Sequence, residues 1–252
     1  MSELEAAEPS FTEDRLLGGR IRLKQPAIGY RVAIDPIFLA AAVPAEPHQL
    51  VLDVGCGVGA AMLCLAARVP HSRLVGLEMQ RDLVRLAGDN VILNGLEARA
   101  SVMIGDLLHP PPRLSPGAFD HVMANPPYGE RGHAKLPATN NKSAATIEGD
   151  ADLADWVRFS LAMVRSSGTV TFIHRADRLD ALLGHIAGRA GEVVVFPVWP
   201  RQGKPASRIL VRVRKQVAAP ARLSPGLVLH EADGSFTATA DGVLREGRGL
   251  DL

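Results

Sequence analysis

Leu50-Val51-Leu52-Asp53-Val54-Gly55-Cys56-Gly57-Val58-Gly59 decides the fold. Apolar residues around Asp53 form a buried strand, three glycines at alternate positions turn the chain, and a helical pattern follows over about 58–69. Outward from this stretch, short apolar runs occupy 73–78, 100–104, 119–124, 169–173, 192–198 and 208–213. Helical patterns lie between several of them, at about 80–93, 152–165 and 178–189. This alternation predicts an α/β, Rossmann-like fold: a seven-stranded, mostly parallel sheet with helices on both faces. Ligands of such sheets bind beyond the carboxyl ends of the strands, so the residues that follow each run are the site candidates.

Glycines let the backbone adopt positive φ and approach a ligand closely, and the next helix offers unpaired N–H groups. Such a loop alone fits a dinucleotide, another nucleotide-like cofactor or a purely structural turn. The spacing Gly55-x-Gly57-x-Gly59, preceded by Asp53, is not the Gly-x-Gly-x-x-Gly of dinucleotide sites. The next run ends in Glu78-Met79, where a carboxylate can accept both hydroxyls of a ribose. A third run leads into Gly105-Asp106-Leu107. Acids at three successive strand ends suit a ligand bearing amine and hydroxyl donors, although Asp106 can equally cap a helix.

The run Ala118 to Ala124 leads straight into Asn125-Pro126-Pro127-Tyr128. This tetrapeptide arises by chance in on the order of one chain in a thousand of this size. Two prolines could merely stiffen a turn. The chemical reading is more specific. An exocyclic amino group is a poor nucleophile because its lone pair is delocalised, and two acceptors gripping its two hydrogens favour the reactive pyramidal form. The Asn125 amide oxygen and the Pro126 carbonyl can be those acceptors, and Tyr128 offers a ring for a planar group to stack on.

Composition narrows the rest. A chain of 252 residues, 47% hydrophobic and 22% charged, is that of a soluble globular protein. No apolar run nears the roughly 20 residues of a membrane span, and the acidic start lacks the features of a signal peptide. A cytoplasmic protein is expected. Two cysteines, without Cys-x-x-Cys or His-Glu-x-x-His, predict neither a disulfide framework nor a metal site. Net charge is +1, but Arg15, Arg20, Arg22, Lys24 and Arg31 form one basic cluster. Arg201, Lys204, Arg208, Arg212, Arg214 and Lys215 form another. They are either two solvated faces or two sides of a cradle for a phosphate backbone.

Residues 1–14 read as a flexible N-terminus, and 15–45 as a hairpin and helix packed on the core. The hairpin sets Arg15-Leu16-Leu17 against Arg20-Ile21-Arg22-Leu23 around Gly18-Gly19. The helix runs from Pro36 to Val43 with Asp35 as its N-cap. Residues 46–216 hold the main domain, in which 129–150 is a polar loop carrying Arg131, His133, Lys135, Asn140, Asn141 and Lys142. Residues 217–252 read as a terminal hairpin, 227–230 against 236–239, and a tail.

Together, Val51 to Gly59 and Asn125 to Tyr128 resemble the class I amino-methyltransferases. Gly29-Tyr30-Arg31-Val32-Ala33-Ile34-Asp35-Pro36-Ile37-Phe38-Leu39-Ala40 and the terminal segment are more particularly similar to the bacterial tRNA1(Val) adenine-37 N6-methyltransferase family. The resemblance covers about residues 12–247 and implies S-adenosyl-L-methionine as cofactor, tRNA as partner and direct in-line methyl transfer. It implies that Asp53, Gly55, Cys56, Gly57 and Gly59 hold the methionine end, Glu78 and Met79 the ribose side, and Gly105, Asp106 and Leu107 the adenine. Ile34 and Asp35 would close over the cofactor, and Asn125, beside both ligands, would lead the acceptor pocket formed with Pro126, Pro127 and Tyr128. Gly129 stands where members of that family often carry phenylalanine. Asn-Pro-Pro-Tyr also occurs in glutamine N5-methyltransferases and in DNA and rRNA amino-methyltransferases. From other classes, a nicotinamide-dependent oxidoreductase and a non-catalytic RNA-binding protein remain as alternatives.

Overall fold

A computed structural model describes residues 11–28, 31–128 and 150–252. Its main sheet is built from β3 (Leu50–Val54), β4 (Arg73–Glu78), β5 (Ala100–Ile104), β6 (Phe119–Ala124), β7 (Val164–Arg175), β8 (Ala190–Arg201) and β9 (Arg208–Lys215). These seven strands lie in the order β5-β4-β3-β6-β7-β9-β8, and β9 alone among them runs antiparallel to its neighbours. The expected seven-stranded, mostly parallel sheet is therefore present. Two short strands, β10 (Arg222–Leu223) and β11 (Leu227–His230), extend it to nine among the described residues by pairing with β8.

Buried strands feeding both faces give two apolar layers. On one side Val51, Met123 and Ile173 pack with α1 (Asp35–Ala42), α2 (Ala60–Arg68), α3 (Arg81–Leu93) and α6 (Ala238–Glu246). On the other, Leu52, Val54, Val122 and Phe172 pack with α4 (Leu153–Met163) and α5 (Leu179–Ile186). The period-two alternation of Val51, Leu52 and Asp53 thus sends Asp53 to the α2 side, at the end of its strand. No helix among the described residues is long and apolar enough to cross a membrane.

The N-terminal hairpin pairs β1 (Phe11–Leu16) with β2 (Ile21–Pro26). It begins four residues earlier than expected, so residues 11–14, read as flexible, are paired: Glu13 and Asp14 hold Arg22 and Arg31 in ion pairs. The outer edge of β2 meets α3 through two asparagines one helical turn apart. Asn90 accepts from the Lys24 N–H at 2.7 Å and donates to its carbonyl at 2.8 Å, and Asn94 does the same for Arg22 at 2.9 and 2.8 Å. Side-chain amides so complete the β ladder, and Asn90 also donates to the Val58 carbonyl of the glycine turn.

Two local readings are corrected. Asp35 is not the N-cap of α1: Ile34 holds that position with helical dihedrals, and the Asp35 carboxylate is turned towards the sheet edge. The terminal hairpin is reduced to one bridge, His230 to Phe236. Thr237 then caps α6 by accepting from the Ala240 N–H at 3.2 Å, so Ala238 and Thr239 are helical. The polar loop expected at 129–150 lies outside the described residues except for Asp150.

Candidate functional site

The carboxyl ends of β3, β4, β5 and β6 bring most of the predicted residues to one edge. At β3 the chain leaves through Gly55, at φ +67°, whose N–H, with that of Cys56, donates to the Leu77 carbonyl of β4 at 2.8 and 3.0 Å. A Cβ at Gly55 would lie 2.4 Å from the ring of Trp156 on α4, so both conformation and space demand glycine. Gly57, at φ +56°, has open space in front of it. Gly59 enters α2 in the left-handed conformation. The Cys56 side chain does not join the cleft: it is buried against Gly76, and burial pushes its thiol well up.

The acids behave differently from one another. Asp53 is buried, and its Oδ2 has no hydrogen-bond partner among the described residues. Burial, reinforced by the Glu78 charge and opposed by the Met62 N–H, pushes its carboxyl up to about 8. Glu78 is also buried, but Oε2 accepts from Gly57 N–H at 3.0 Å and Oε1 from Gln80 N–H at 2.8 Å. Burial raises it too, against those backbone donors. Asp106 caps no helix but holds the turn that follows β5. Its carboxylate accepts from the Leu108 N–H at 2.9 Å and meets His109 Nδ1 at 3.0 Å. Beside Gly105 and the half-buried Leu107, it still lies at the end of β5. Met79, 64% exposed, and Ile104, 45% exposed, leave apolar surface at the ends of β4 and β5.

Asn125 to Tyr128 follow β6 directly. Pro126 is buried and the other three are half-buried. The Tyr128 hydroxyl lies 2.8 Å from Asn125 Oδ1 and 2.7 Å from Asp35 Oδ2. Its single proton serves one acceptor at a time. Asp35, itself buried, also accepts from Arg208 Nε at 3.1 Å, and the Arg208 guanidinium sits over the Tyr128 ring at 4.8 Å. His174, at the end of β7, makes a T-shaped contact with that ring at 5.2 Å. Burial, and then Arg178, push its imidazole down to about 4, with the Pro127 and Arg175 backbones opposing.

Three contributors were not foreseen. His174 follows the expected strand 169–173 by one residue, and a histidine at the ligand edge of the strand beside β6 was the available signal. Arg208 was grouped only with a basic cluster. Trp156 shows simply as an apolar position of α4. Most cations of the two basic clusters have partners within the chain. Arg20 donates to the Glu246 and Ala67 carbonyls, Arg22 and Arg31 pair with Glu13 and Asp14, and Lys24 lies over Phe11. Arg212, Arg214 and Lys215 bind Leu252, Glu192 and Val164 towards the far end of β9, whereas Arg201 and Arg208 stand at the site edge.

The donor set fits a cofactor with a cationic amine and a sugar: an unpartnered buried carboxylate oxygen, an open glycine and exposed apolar residues share one cleft. Among the described residues no cluster of His, Cys, Asp and Glu could hold a metal ion. The model of the Methyltransferase small domain family matches residues 32–145. The chain is similar to the tRNA1(Val) (adenine(37)-N6)-methyltransferase of Aeromonas hydrophila, 26% identical over 211 residues covering 82% of this chain and 85% of that one. It is also similar to the rRNA N(6)-adenosine-methyltransferase metl-5 of Caenorhabditis elegans, 23% identical over 65% of this chain and 69% of that one. The crystal structure of a predicted O-methyltransferase, Atu636 from Agrobacterium tumefaciens, matches with a TM-score of 0.71 at 25% identity, over 86% of this chain and 98% of that one. With its glycine turn, its acidic strand ends and its strand order, the chain has the class I methyltransferase fold and is an S-adenosylmethionine-dependent methyltransferase.

Proposed function

We propose that the chain methylates the exocyclic N6 of an adenine in RNA, with A37 of a valine tRNA as its leading substrate. The observation that carries this reading is Asn125 Oδ1, which stands at the carboxyl end of β6 within hydrogen-bond distance, 2.8 Å, of a hydroxyl. Beside it, the carbonyl of Pro126 belongs to a residue with no N–H of its own. Two acceptors match the two hydrogens of an amino group, whereas a hydroxyl acceptor has only one to offer. The names of the Aeromonas and Caenorhabditis relatives support RNA adenine, and the first of them supports tRNA.

When bound, S-adenosylmethionine supplies an activated sulfonium methyl. In this reading Asp53 Oδ2 receives the amine of the methionine end, while Gly55, Gly57, Gly59 and the Cys56 backbone line it. Glu78 offers the ribose its remaining lone pairs, and Met79, Gly105, Asp106 and Leu107 bound the adenine. Ile34 and Asp35 cover the cleft from α1. Asn125 and Pro126 hold and orient the acceptor amine, and Tyr128 stacks on its ring. Positioning and exclusion of water are then the main tasks of the protein, without a strong base before attack.

Tritiated methyl transfer to total tRNA and, separately, to ribosomal RNA, followed by nucleoside analysis, tests this. Label in N6-methyladenosine from tRNA is expected. Label only in rRNA corrects the substrate, and label only in protein or in O-methylated nucleosides overturns the chemistry.

A further inference from the structure

Arg208 is drawn into the acceptor site, yet the reaction proposed above gives it no task. Its guanidinium covers the Tyr128 ring at 4.8 Å and its Nε binds Asp35 Oδ2 at 3.1 Å. Burial disfavours its charge, but Asp35 and Tyr128 more than offset that, and the cation is held more firmly than in water. A guanidinium is planar and stacks on aromatic rings as a flat heterocycle does. The surface that it covers is therefore the kind of surface a planar acceptor needs. The hydroxyl of the same tyrosine stands 2.8 Å from Asn125 Oδ1, so the acceptor atom and the stacking face are covered together.

We propose that Arg208 is a specificity-determining residue for the methyl acceptor: its guanidinium keeps the stacking place on Tyr128 that a nucleobase takes during the reaction, and the base enters by displacing it. This rests on the reading that Asn125 receives an exocyclic amine. An acceptor must then replace both a cation–ring contact and the hydrogen bond to Asn125. A nucleobase, with a ring face and an amine, replaces both. A side-chain amide covers little of the ring and replaces only the second. Arg208 thereby selects for nucleobases at a site whose Asn-Pro-Pro-Tyr motif would also accept amides.

The test is calorimetric titration of adenosine and of purine riboside, which lacks the amino group, into enzyme saturated with S-adenosylhomocysteine. Neither probe carries a phosphate, so loss of the arginine charge is not read as loss of a phosphate contact. Arg208→Ala is expected to bind both nucleosides about threefold to tenfold more tightly than the parent protein, as removal of a competing stacking partner requires. Asp35→Asn, which unties Arg208, moves affinity the same way, and Arg208→Lys, charged but not planar, lies between. A merely structural arginine gives the opposite sign, a looser site and weaker binding. Unchanged or weaker binding in both Arg208→Ala and Asp35→Asn overturns the proposal, and Asp35→Asn with Arg208→Lys decides it if Arg208→Ala does not fold. The underlying reading fails separately: equal affinity of the parent protein for the two nucleosides removes the amine contact, whatever the arginine variants do.

Discussion

The two halves of the cleft are prepared to different degrees. On the cofactor side, Asp53 Oδ2 lacks a partner, Gly57 faces open space, and Met79 and Ile104 expose apolar surface. On the acceptor side, the Tyr128 hydroxyl stands between Asn125 Oδ1 and Asp35 Oδ2, while Arg208 and His174 flank its ring. A buried carboxylate oxygen without a partner is costly and is relieved by a ligand. A group whose partners are satisfied must give them up before it can bind anything else. With the sites as proposed, the cofactor meets a preformed half and the acceptor a self-satisfied one, so binding of the first requires less rearrangement.

The sharpest way to break this comparison is Asn125→Ala. It removes the acceptor that the proposed transfer needs, but not the shape of the glycine turn. Methyl transfer should fall about a hundredfold to a thousandfold, with affinity for S-adenosylhomocysteine changed by less than about threefold. Turnover like that of the parent protein would sink the proposed chemistry, and an equal loss of cofactor affinity would erase the distinction between the halves. Gly55→Ala strikes the other half. Its Cβ would meet Trp156 at 2.4 Å in a left-handed backbone, and Trp156 is too buried to move aside. A loss of about 2–4 kcal/mol in stability, with cofactor affinity falling alongside, is expected from denaturant unfolding.

The cofactor half was also the more legible one. Glycine spacing and strand-end acids are local signals, and each strand run lay within a few residues of its observed span. β7 is longer at its start because Arg165-Ser166-Ser167-Gly168 is polar and masks the strand. Helix α6 was missed because the Asp233-Gly234 turn signal outweighed the cap at Thr237. On the acceptor side Asn125 to Tyr128 could be read directly, but their partners could not. Asp35 and Arg208 are 173 residues apart, and only the order of β6, β7 and β9 brings His174 and Arg208 to Tyr128. Helix-cap statistics assigned Asp35 a local role that an ion pair across the molecule overrides.

Asp53 gives the comparison a pH dependence. In the free protein its carboxyl holds a proton up to about pH 8. A cationic amine beside Oδ2 favours the carboxylate, so binding below that pH releases a proton. Affinity for S-adenosylhomocysteine should therefore strengthen as pH rises and level off above about 8, by up to about tenfold per unit. Asp53→Asn should flatten the profile and weaken binding at its upper end. A parent profile as flat as that of the variant would mean that Asp53 does not meet the amine.

The smallest effect separates the acceptor half from the scaffold. His174 touches Tyr128, whereas His121 lies in β6 between Thr169 and Gln49, at 2.7 Å from each. Burial pushes both imidazoles down to about 4. The unfolded chain protonates them near pH 6.5, so between about 6.5 and 4 it takes up protons that the folded chain refuses. Each histidine should lower stability by about 1.4 kcal/mol per pH unit across that window and by nothing above it. Asp53 works in the opposite sense, because the folded chain keeps a proton there that the unfolded chain has lost, so each variant must be compared with the parent. His121→Gln keeps a polar partner for Thr169 and Gln49 without a titration, and its melting temperature should fall less steeply on acidification. His174→Gln should show the same relief in stability but lose methyl transfer, because Tyr128 loses the ring that it packs against. Equal activity in the two variants would return His174 to the scaffold and confine the acceptor half to Asn125, Pro126, Tyr128, Asp35 and Arg208.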